Sequence, residues 1–317
     1  MIQSLPIINR QLSIKCENIT KTYNKGEVVA VDDVSFAVEK GELFGLIGPD
    51  GAGKTSIFRI LTTVLLADKG TATVAGFDVV NDYRAIRNRV GYMPGKFSLY
   101  QDLTIKENLE FFATVFGTTI EENYELIKDI YDQIKPFNNR RAGKLSGGMK
   151  QKLALCCALI HKPEVLLLDE PTTGVDVVSR KEFWDMLKKL KQQGITILVS
   201  TPYMDEANLC ERIALIQNGK ILSVDTPQNI IKAFPVSLYA AKADNIYKLL
   251  TDFRKSDFVA SAYASGEYMH LTLKEDKPDS IRMLTQYAAQ HGHSDAEIKK
   301  ITPGIEDSFI RLMQQPN

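Results

Sequence analysis

The chain has 317 residues, 44% hydrophobic and 25% charged, a balance that supports a sizeable core and excludes global disorder. Lys plus Arg and Asp plus Glu both number 39, so the formal net charge is zero. There is no basic excess of the kind that marks nucleic-acid binders, and no nucleic-acid partner is expected.

The length implies about two domains at ~100–200 residues each. No apolar run approaches the ~20 residues needed to cross a bilayer, and residues 1–10 lack the basic start and apolar stretch of a signal peptide. Of the four cysteines, Cys16, Cys156, Cys157 and Cys210, none forms a CxxC pair. They read as small buried apolar residues suited to a reducing cytoplasm.

Residues 12–40 alternate apolar and polar, as at Val34, Phe36 and Val38, the period-two signal of strands. Residues 42–48 form an apolar run that ends in a glycine-rich loop, and 54–66 carry helical spacing. Residues 98–160 read as mostly helical, with breaks near Gly117 and over 136–143. Residues 164–168 and 195–200 are buried strands on either side of an amphipathic helix, 180–193, ended by Gly194. A helix starts over 205–210. The segments 212–216 and 220–224 form a hairpin turning at Asn218-Gly219. Strands and helices alternate across 41–216, which predicts a parallel sheet with helices on its faces. After Phe234-Pro235 the order becomes strand 236–241, helix 243–254, strands 257–263 and 267–273, helix 278–291, strand 296–301 and helix 304–314. That β-α-β-β-α-β order resembles a ferredoxin-like unit.

The segment Gly48-Pro49-Asp50-Gly51-Ala52-Gly53-Lys54-Thr55 fits G-x-x-x-x-G-K-[ST] between a buried strand and a helix. Its glycines let successive N–H groups face a phosphate, and the following helix adds the positive end of its dipole. Lys54 offers an ammonium to β/γ-phosphates, Thr55 a hydroxyl to Mg²⁺, and Ser56 reaches the α-phosphate. The segment Val165-Leu166-Leu167-Leu168-Asp169-Glu170 ends a buried strand in two carboxylates. Asp169 is placed to hold the Mg²⁺ shell and Glu170 to orient or deprotonate the attacking water. Alone, this second segment would read as a solvated strand end.

With Leu145-Ser146-Gly147-Gly148-Met149-Lys150-Gln151, residues 14–232 are similar to the ABC ATPase family. This signature segment is a second helix start, where Ser146 and the amides of Gly147 and Gly148 can grip a γ-phosphate. The resemblance implies an α/β P-loop NTPase domain over 12–233 with an inserted helical subdomain at about 98–160, followed by a small C-terminal α+β domain over 234–317. It implies Mg-ATP as the ligand, sandwiched head to tail between the phosphate loop of one subunit and Leu145, Ser146, Gly147, Gly148 and Gln151 of another. It also implies that Tyr23 stacks on adenine and that Asp176 belongs to the loop that communicates across the dimer.

Two positions depart from the family. Gly95, in Gly91-Tyr92-Met93-Pro94-Gly95, stands where the family places a Gln that contacts metal and water. Pro202, in Ser200-Thr201-Pro202-Tyr203, stands where it places a His, and proline offers neither a side-chain donor nor an N–H. Losing one such transition-state contact lowers rate by about 10²–10³. The chain's own ATP site is therefore expected to be degenerate and slow, while its intact signature segment completes a site on a partner subunit.

Residues 97–109 and the segment Pro303-Gly304-Ile305-Glu306-Asp307-Ser308-Phe309 resemble the daunorubicin-resistance branch of exporters. That implies a separate integral-membrane permease of the ABC-two type, its cytoplasmic helix received at about 92–110, and a location on the cytoplasmic face of the membrane. A soluble ABC ATPase and a non-hydrolysing regulatory subunit are the alternatives. Glu306–Phe309 reads equally as a plain amphipathic helix, and His291 and His293 as solvated residues rather than a metal pair.

Overall fold

The computed structural model describes residues 11–314; the signal-peptide expectation at residues 1–10 lies outside them. The chain divides into two compact units between Pro227 and Gln228.

In the first unit β1 (Leu12–Tyr23) and β2 (Val28–Glu39) form an antiparallel pair. After β3 (Leu43–Ile47) and α1 (Lys54–Leu61), β4 (Lys69–Val74) and β5 (Phe77–Asp78) join that pair in a four-stranded sheet ordered β2-β1-β4-β5. Then come α2 (Tyr83–Arg87), β6 (Val90–Met93), α3 (Ile105–Val115), α4 (Tyr124–Ile134) and α5 (Gly147–Leu159). They are followed by β7 (Val165–Asp169), α6 (Val177–Gln192), β8 (Thr196–Thr201), β9 (Arg212–Gln217) and β10 (Lys220–Asp225), with α7 (Pro227–Lys232) at the division. The second sheet runs β10-β9-β3-β8-β7-β6 and is parallel except at β10.

The two sheets share one core. Val34 and Phe36 of β2, Phe44 and Leu46 of β3, and Ile57, Phe58 and Leu61 of α1 belong to a single buried cluster. The Phe36 and Phe44 rings stack at 5.7 Å. Helix α1 buries positions 54, 57, 58 and 61, the i, i+3, i+4 pattern of a helix face. It ends at Leu61, earlier than the expected 66. There the Thr62 hydroxyl bonds back to the Phe58 carbonyl at 2.8 Å, and Thr63 turns left-handed at φ 62°. Residues 204–209 form a short 3₁₀ turn rather than the start of an α-helix.

The inserted segment is the three helices α3, α4 and α5. Its exporter-like residues carry local tasks. Thr104 and Glu107 close a capping box on α3, and the fully buried Asn108 amide donates to the Tyr100, Leu103 and Thr104 carbonyls. Leu109 enters the core.

The second unit contains β11 (Leu238–Lys242), α8 (Ile246–Arg254), β12 (Val259–Ser265), β13 (Tyr268–Leu273), α9 (Ser280–Gln290), β14 (Glu297–Ile301) and α10 (Ile305–Met313). Its sheet is antiparallel and ordered β12-β13-β11-β14, the ferredoxin-like arrangement. Leu249 and Phe253 of α8 and Leu284 and Ala288 of α9 pack with Met269 and Leu271 of β13.

Side chains alternate across a strand, so His270 faces away from Met269 and Leu271, and it meets α10. Asp307 accepts from the Tyr263 hydroxyl at 2.8 Å and the Gly304 amide at 2.7 Å, and pairs with His270 Nδ1 at 2.7 Å. His293 corrects the sequence reading. It is 3% exposed, with Nε2 2.9 Å from Asp252 Oδ2. His291 is exposed and lies 4.1 Å from the Tyr287 ring.

Burial pushes the Asp307 carboxyl up, but its bonds to His270, Gly304 and Tyr263 outweigh burial and hold it below the ordinary aspartate value. A carboxylate held low stabilises the fold at neutral pH, and that contribution is lost as pH falls below about 3.8. Asp307→Asn removes the charge and should destabilise the second unit by about 1–3 kcal/mol at neutral pH. Denaturant unfolding of the full chain, with amide exchange reporting on α10, checks this; unchanged protection of α10 would contradict it.

Candidate functional site

The phosphate-loop residues lie between β3 and α1, on the edge of the parallel sheet where its strands end. Gly48 donates its amide to the Thr201 carbonyl at 3.2 Å, and Gly219 donates to the Ala52 carbonyl at 3.1 Å. The loop is thus held from β8 on one side and the β9–β10 hairpin on the other. That hairpin turns at Asn218 (φ 49°) and Gly219 (φ 77°), the left-handed pair of a type I′ turn.

Two glycines are required by contact. A Cβ on Gly53 would stand 2.1 Å from the Ala30 carbonyl oxygen, and Gly53 has φ 102°. A Cβ on Gly48 would stand 2.2 Å from the Ile216 oxygen. Asp50 and Gly51 are exposed at the tip, beside the half-buried Pro49, and Ala52 is buried. Helix α1 begins with no side-chain cap and no acidic residue in its first turn, which leaves its first N–H groups and dipole open to an anion.

Lys54 is 2% exposed. Its ammonium donates to the Gly48 carbonyl at 2.7 Å and the Pro49 carbonyl at 2.9 Å, and pairs with Glu170 at 3.1 Å. A buried charge is tolerated only when paired and hydrogen-bonded, and Lys54 is both. Thr55 follows on the first turn. Ser56 Oγ lies 3.0 Å from the Tyr23 hydroxyl, which brings Tyr23 from β1 to the same helix start.

Asp169 ends β7 at 2% exposure, and the Ser200 hydroxyl donates to its Oδ1 at 2.7 Å. Glu170 has φ 50°, a conformation that costs a non-glycine residue about 1–3 kcal/mol and needs its surroundings to hold it. Its amide donates to the Ser200 hydroxyl at 2.9 Å and the Ser200 carbonyl at 3.2 Å. Ser200 therefore fixes both carboxylate residues. Sequence reasoning missed it; the available signal was a hydroxyl residue at the fully buried C-terminal end of β8.

The signature segment opens α5. Ser146 caps that helix by accepting from the Met149 amide at 3.4 Å, and a Cβ on Gly148 would stand 2.8 Å from Ser179 Oγ. Leu145 is buried, and Gly147 opens the first turn. Gln151 is 8% exposed and donates to the Pro171 carbonyl of its own chain, so its amide braces α5 rather than standing free at the surface. Asp176 caps α6 by accepting from the Val178 and Ser179 amides. Bonds from the Ser179 amide and hydroxyl lower its carboxyl from the ordinary value. Val177 and Val178 beside it are 79% and 68% exposed.

Gly95 and Pro202 both fall at this site. A Cβ on Gly95 would stand 3.1 Å from the Asp169 backbone oxygen and 3.8 Å from Oδ2. Pro202 directly follows Thr201, the residue bonded to Gly48. Away from the phosphate edge, an apolar groove of about 580 Å³ is lined by Tyr92, Leu99, Phe112, Val115, Phe116 and His161 among others. His161 stacks on Phe116 at 3.8 Å, and burial pushes its ring down to about 4, so it stays neutral at physiological pH. Among the described residues no helix is long and apolar enough to cross a membrane.

A strand, a glycine loop, an open helix start and a buried ammonium opposite paired carboxylates define a P-loop nucleotide-binding protein. Residues 31–173 match the family model described as ABC transporter. Over 305 residues the chain is 38% identical to the probable multidrug ABC transporter ATP-binding protein YbhF of Escherichia coli, covering 95% of this chain and 52% of that protein. It spans about half the length of that relative. Over 324 residues it is 32% identical to the doxorubicin resistance ATP-binding protein DrrA of Mycobacterium tuberculosis, covering 97% and 96%. It is also similar to a dimeric ATP-binding cassette solved in a post-hydrolysis state with ADP and Pi, with a TM-score of 0.61, 26% identity, and 67% of this chain and 98% of that chain covered. The chain belongs to the ABC transporter family.

Replacing Lys54 removes the one buried cation that the loop and Glu170 share. Lys54→Ala should weaken ATP binding by about 10- to 100-fold, the range for a charged hydrogen-bonding group. Titration with a fluorescent ATP analogue checks this; an unchanged dissociation constant would place the nucleotide elsewhere.

Proposed function

We propose that this chain is the ATP-binding subunit of an ABC exporter, one that binds Mg-ATP at 48–56 and works with a separate integral-membrane permease at the cytoplasmic face of the membrane. The observation that carries the reading is the buried Lys54 ammonium, paired with Glu170 at 3.1 Å beside the open start of α1. Residues 12–233 are read as the ATP-binding domain and 234–317 as an accessory domain.

The phosphates meet the loop amides, α1 and Lys54. Tyr23 stacks on adenine and Ser56 reaches the α-phosphate. The residues fit a magnesium ion, since Thr55 and Asp169 are hard oxygen donors and Ser200 occupies only Oδ1 of Asp169. Held by Thr55 and Asp169, such an ion would supply positive charge to offset the charge that develops on the phosphates. Glu170 is freed from Lys54 when phosphate replaces it, and then orients or deprotonates water.

A second ATP-binding subunit supplies its signature segment across the nucleotide, and Ser146, Gly147 and Gly148 of this chain do the same for that subunit. The exposed Val177 and Val178 beside Asp176 support a subunit contact there. The apolar groove beside Leu99 and Phe112 suits an amphipathic helix of the permease. The names of the relatives support drugs as the exported class.

Gly95 and Pro202 leave the γ-phosphate short of two polar contacts. His161 lies in the groove and cannot substitute. The chain's own site is slow, and its intact signature completes a working site on a non-identical subunit. The same two positions favour, as the second reading, a cassette whose ATP is a non-hydrolysed clamp. Turnover of the full chain tests both. Gly95→Gln with Pro202→His should raise it about 10²-fold or more, and Glu170→Gln should then abolish it. A wild-type rate already high and untouched by the double change would contradict a degenerate site.

A further inference from the structure

We propose that Glu206 and Arg180 are positioning residues, a clamp that fixes the backbone around Glu170 and ties it to the helix carrying Asp176. This inference rests on the reading of Glu170 as the group that acts on water.

The 3₁₀ turn after β8 carries Glu206 inward to 2% exposure. A buried carboxylate is expensive unless several donors reach it. Arg180 donates to its Oε1 through Nε at 3.0 Å and approaches it through Nη2 at 3.0 Å. Its Oε2 accepts from the Thr172 hydroxyl at 3.1 Å and from the Thr201 hydroxyl. Thr172 and Thr201 are themselves 1% and 0% exposed.

The donors come from three separate segments, and each borders the site. Thr172 lies two residues after Glu170. Thr201 adjoins Ser200, which bonds both Asp169 and the Glu170 amide. Arg180 lies one turn into α6, just past Asp176. Its guanidinium is held in turn, 4.1 Å from the Tyr203 ring centroid and 3.3 Å from Asp205.

Glu170 is left-handed at φ 50°, so it keeps that conformation only while the chain on both sides is anchored. Ser200 anchors its amide, and Glu206, through Thr172, anchors the chain just beyond it. A buried ion pair is weak evidence for stability, because apolar residues of equal volume often do as well. What it supplies here is a fixed geometry among three segments. A shift of α6 at the subunit contact passes through Arg180 and Glu206 to the Glu170 backbone.

The test uses the full chain with Glu206→Gln, which keeps the side-chain size and removes the charge. Amide exchange of residues 170–174 should accelerate at least about tenfold while α1 keeps its protection. Turnover should fall about 10- to 100-fold, with the ATP dissociation constant held within about twofold, since Glu206 touches neither the loop nor α1. Arg180→Lys keeps the charge and loses the planar fork, and it should give the same pattern more weakly; it serves where Glu206→Gln does not fold. Wild-type exchange at 170–174 in a folded variant would overturn the clamp, as would a parallel loss of ATP affinity and turnover. Wild-type turnover in Glu170→Gln would instead remove the catalytic reading of Glu170, and the exchange data would still decide the clamp.

Discussion

An ammonium buried to 2% exposure needs negative partners, and Lys54 is the constraint on which the site depends. Two loop carbonyls and Glu170 provide them. Because Glu170 sits on the loop after β7 and Lys54 on the first turn of α1, that contact fixes the distance between two strand ends. Phosphate oxygens are stronger partners than a single carboxylate. Under the proposed function, nucleotide entry would exchange one pairing for another and release Glu170 at the same step. On that proposal Glu170, which pairs with Lys54, serves the loop structurally and takes its part in chemistry once phosphate claims the ammonium.

The rest of the first unit makes that exchange possible. The parallel order β9-β3-β8-β7-β6 brings the ends of β3, β8 and β7 to one edge. There Thr201 receives the Gly48 amide, and Ser200 bonds both carboxylate residues. The hairpin turn at Gly219 closes the loop from the other side. Glu206 adds a second layer behind these contacts and extends them to α6. The signature segment lies against the start of α6, since Gly148 approaches Ser179. A subunit docking on Asp176, as proposed, would meet one connected set of groups.

The phosphate loop and the paired carboxylates were legible because spaced glycines and a lysine at a strand-to-helix turn suit a phosphate and little else. The ferredoxin-like order was legible because its strands and helices differ sharply in period. Other features were not. In residues 69–74 only Thr71-Ala72-Thr73-Val74 alternates, a run too short to mark a strand by itself, and the strand forms by pairing with β1, a partner far away in sequence. Thr62 and Thr63 end α1 through a side-chain bond that helical spacing does not reveal. His293, in the loop after α9, read as solvated because its partner Asp252 lies on α8, far away in sequence. Gln151 groups with the signature residues expected to face a partner's nucleotide, and its bond to the Pro171 carbonyl is a local contact that motif spacing does not reveal. Ser200 and Glu206 belong to no motif, and only the folded strand ends show what they join.

The most direct test of the exchange at Lys54 is a structure of the full chain with Mg²⁺ and a non-hydrolysable ATP analogue. The expected result is that the Lys54 ammonium has left Glu170 for the phosphates. A nucleotide bound away from 48–56, or one bound there with the Lys54–Glu170 pair still closed, would contradict it.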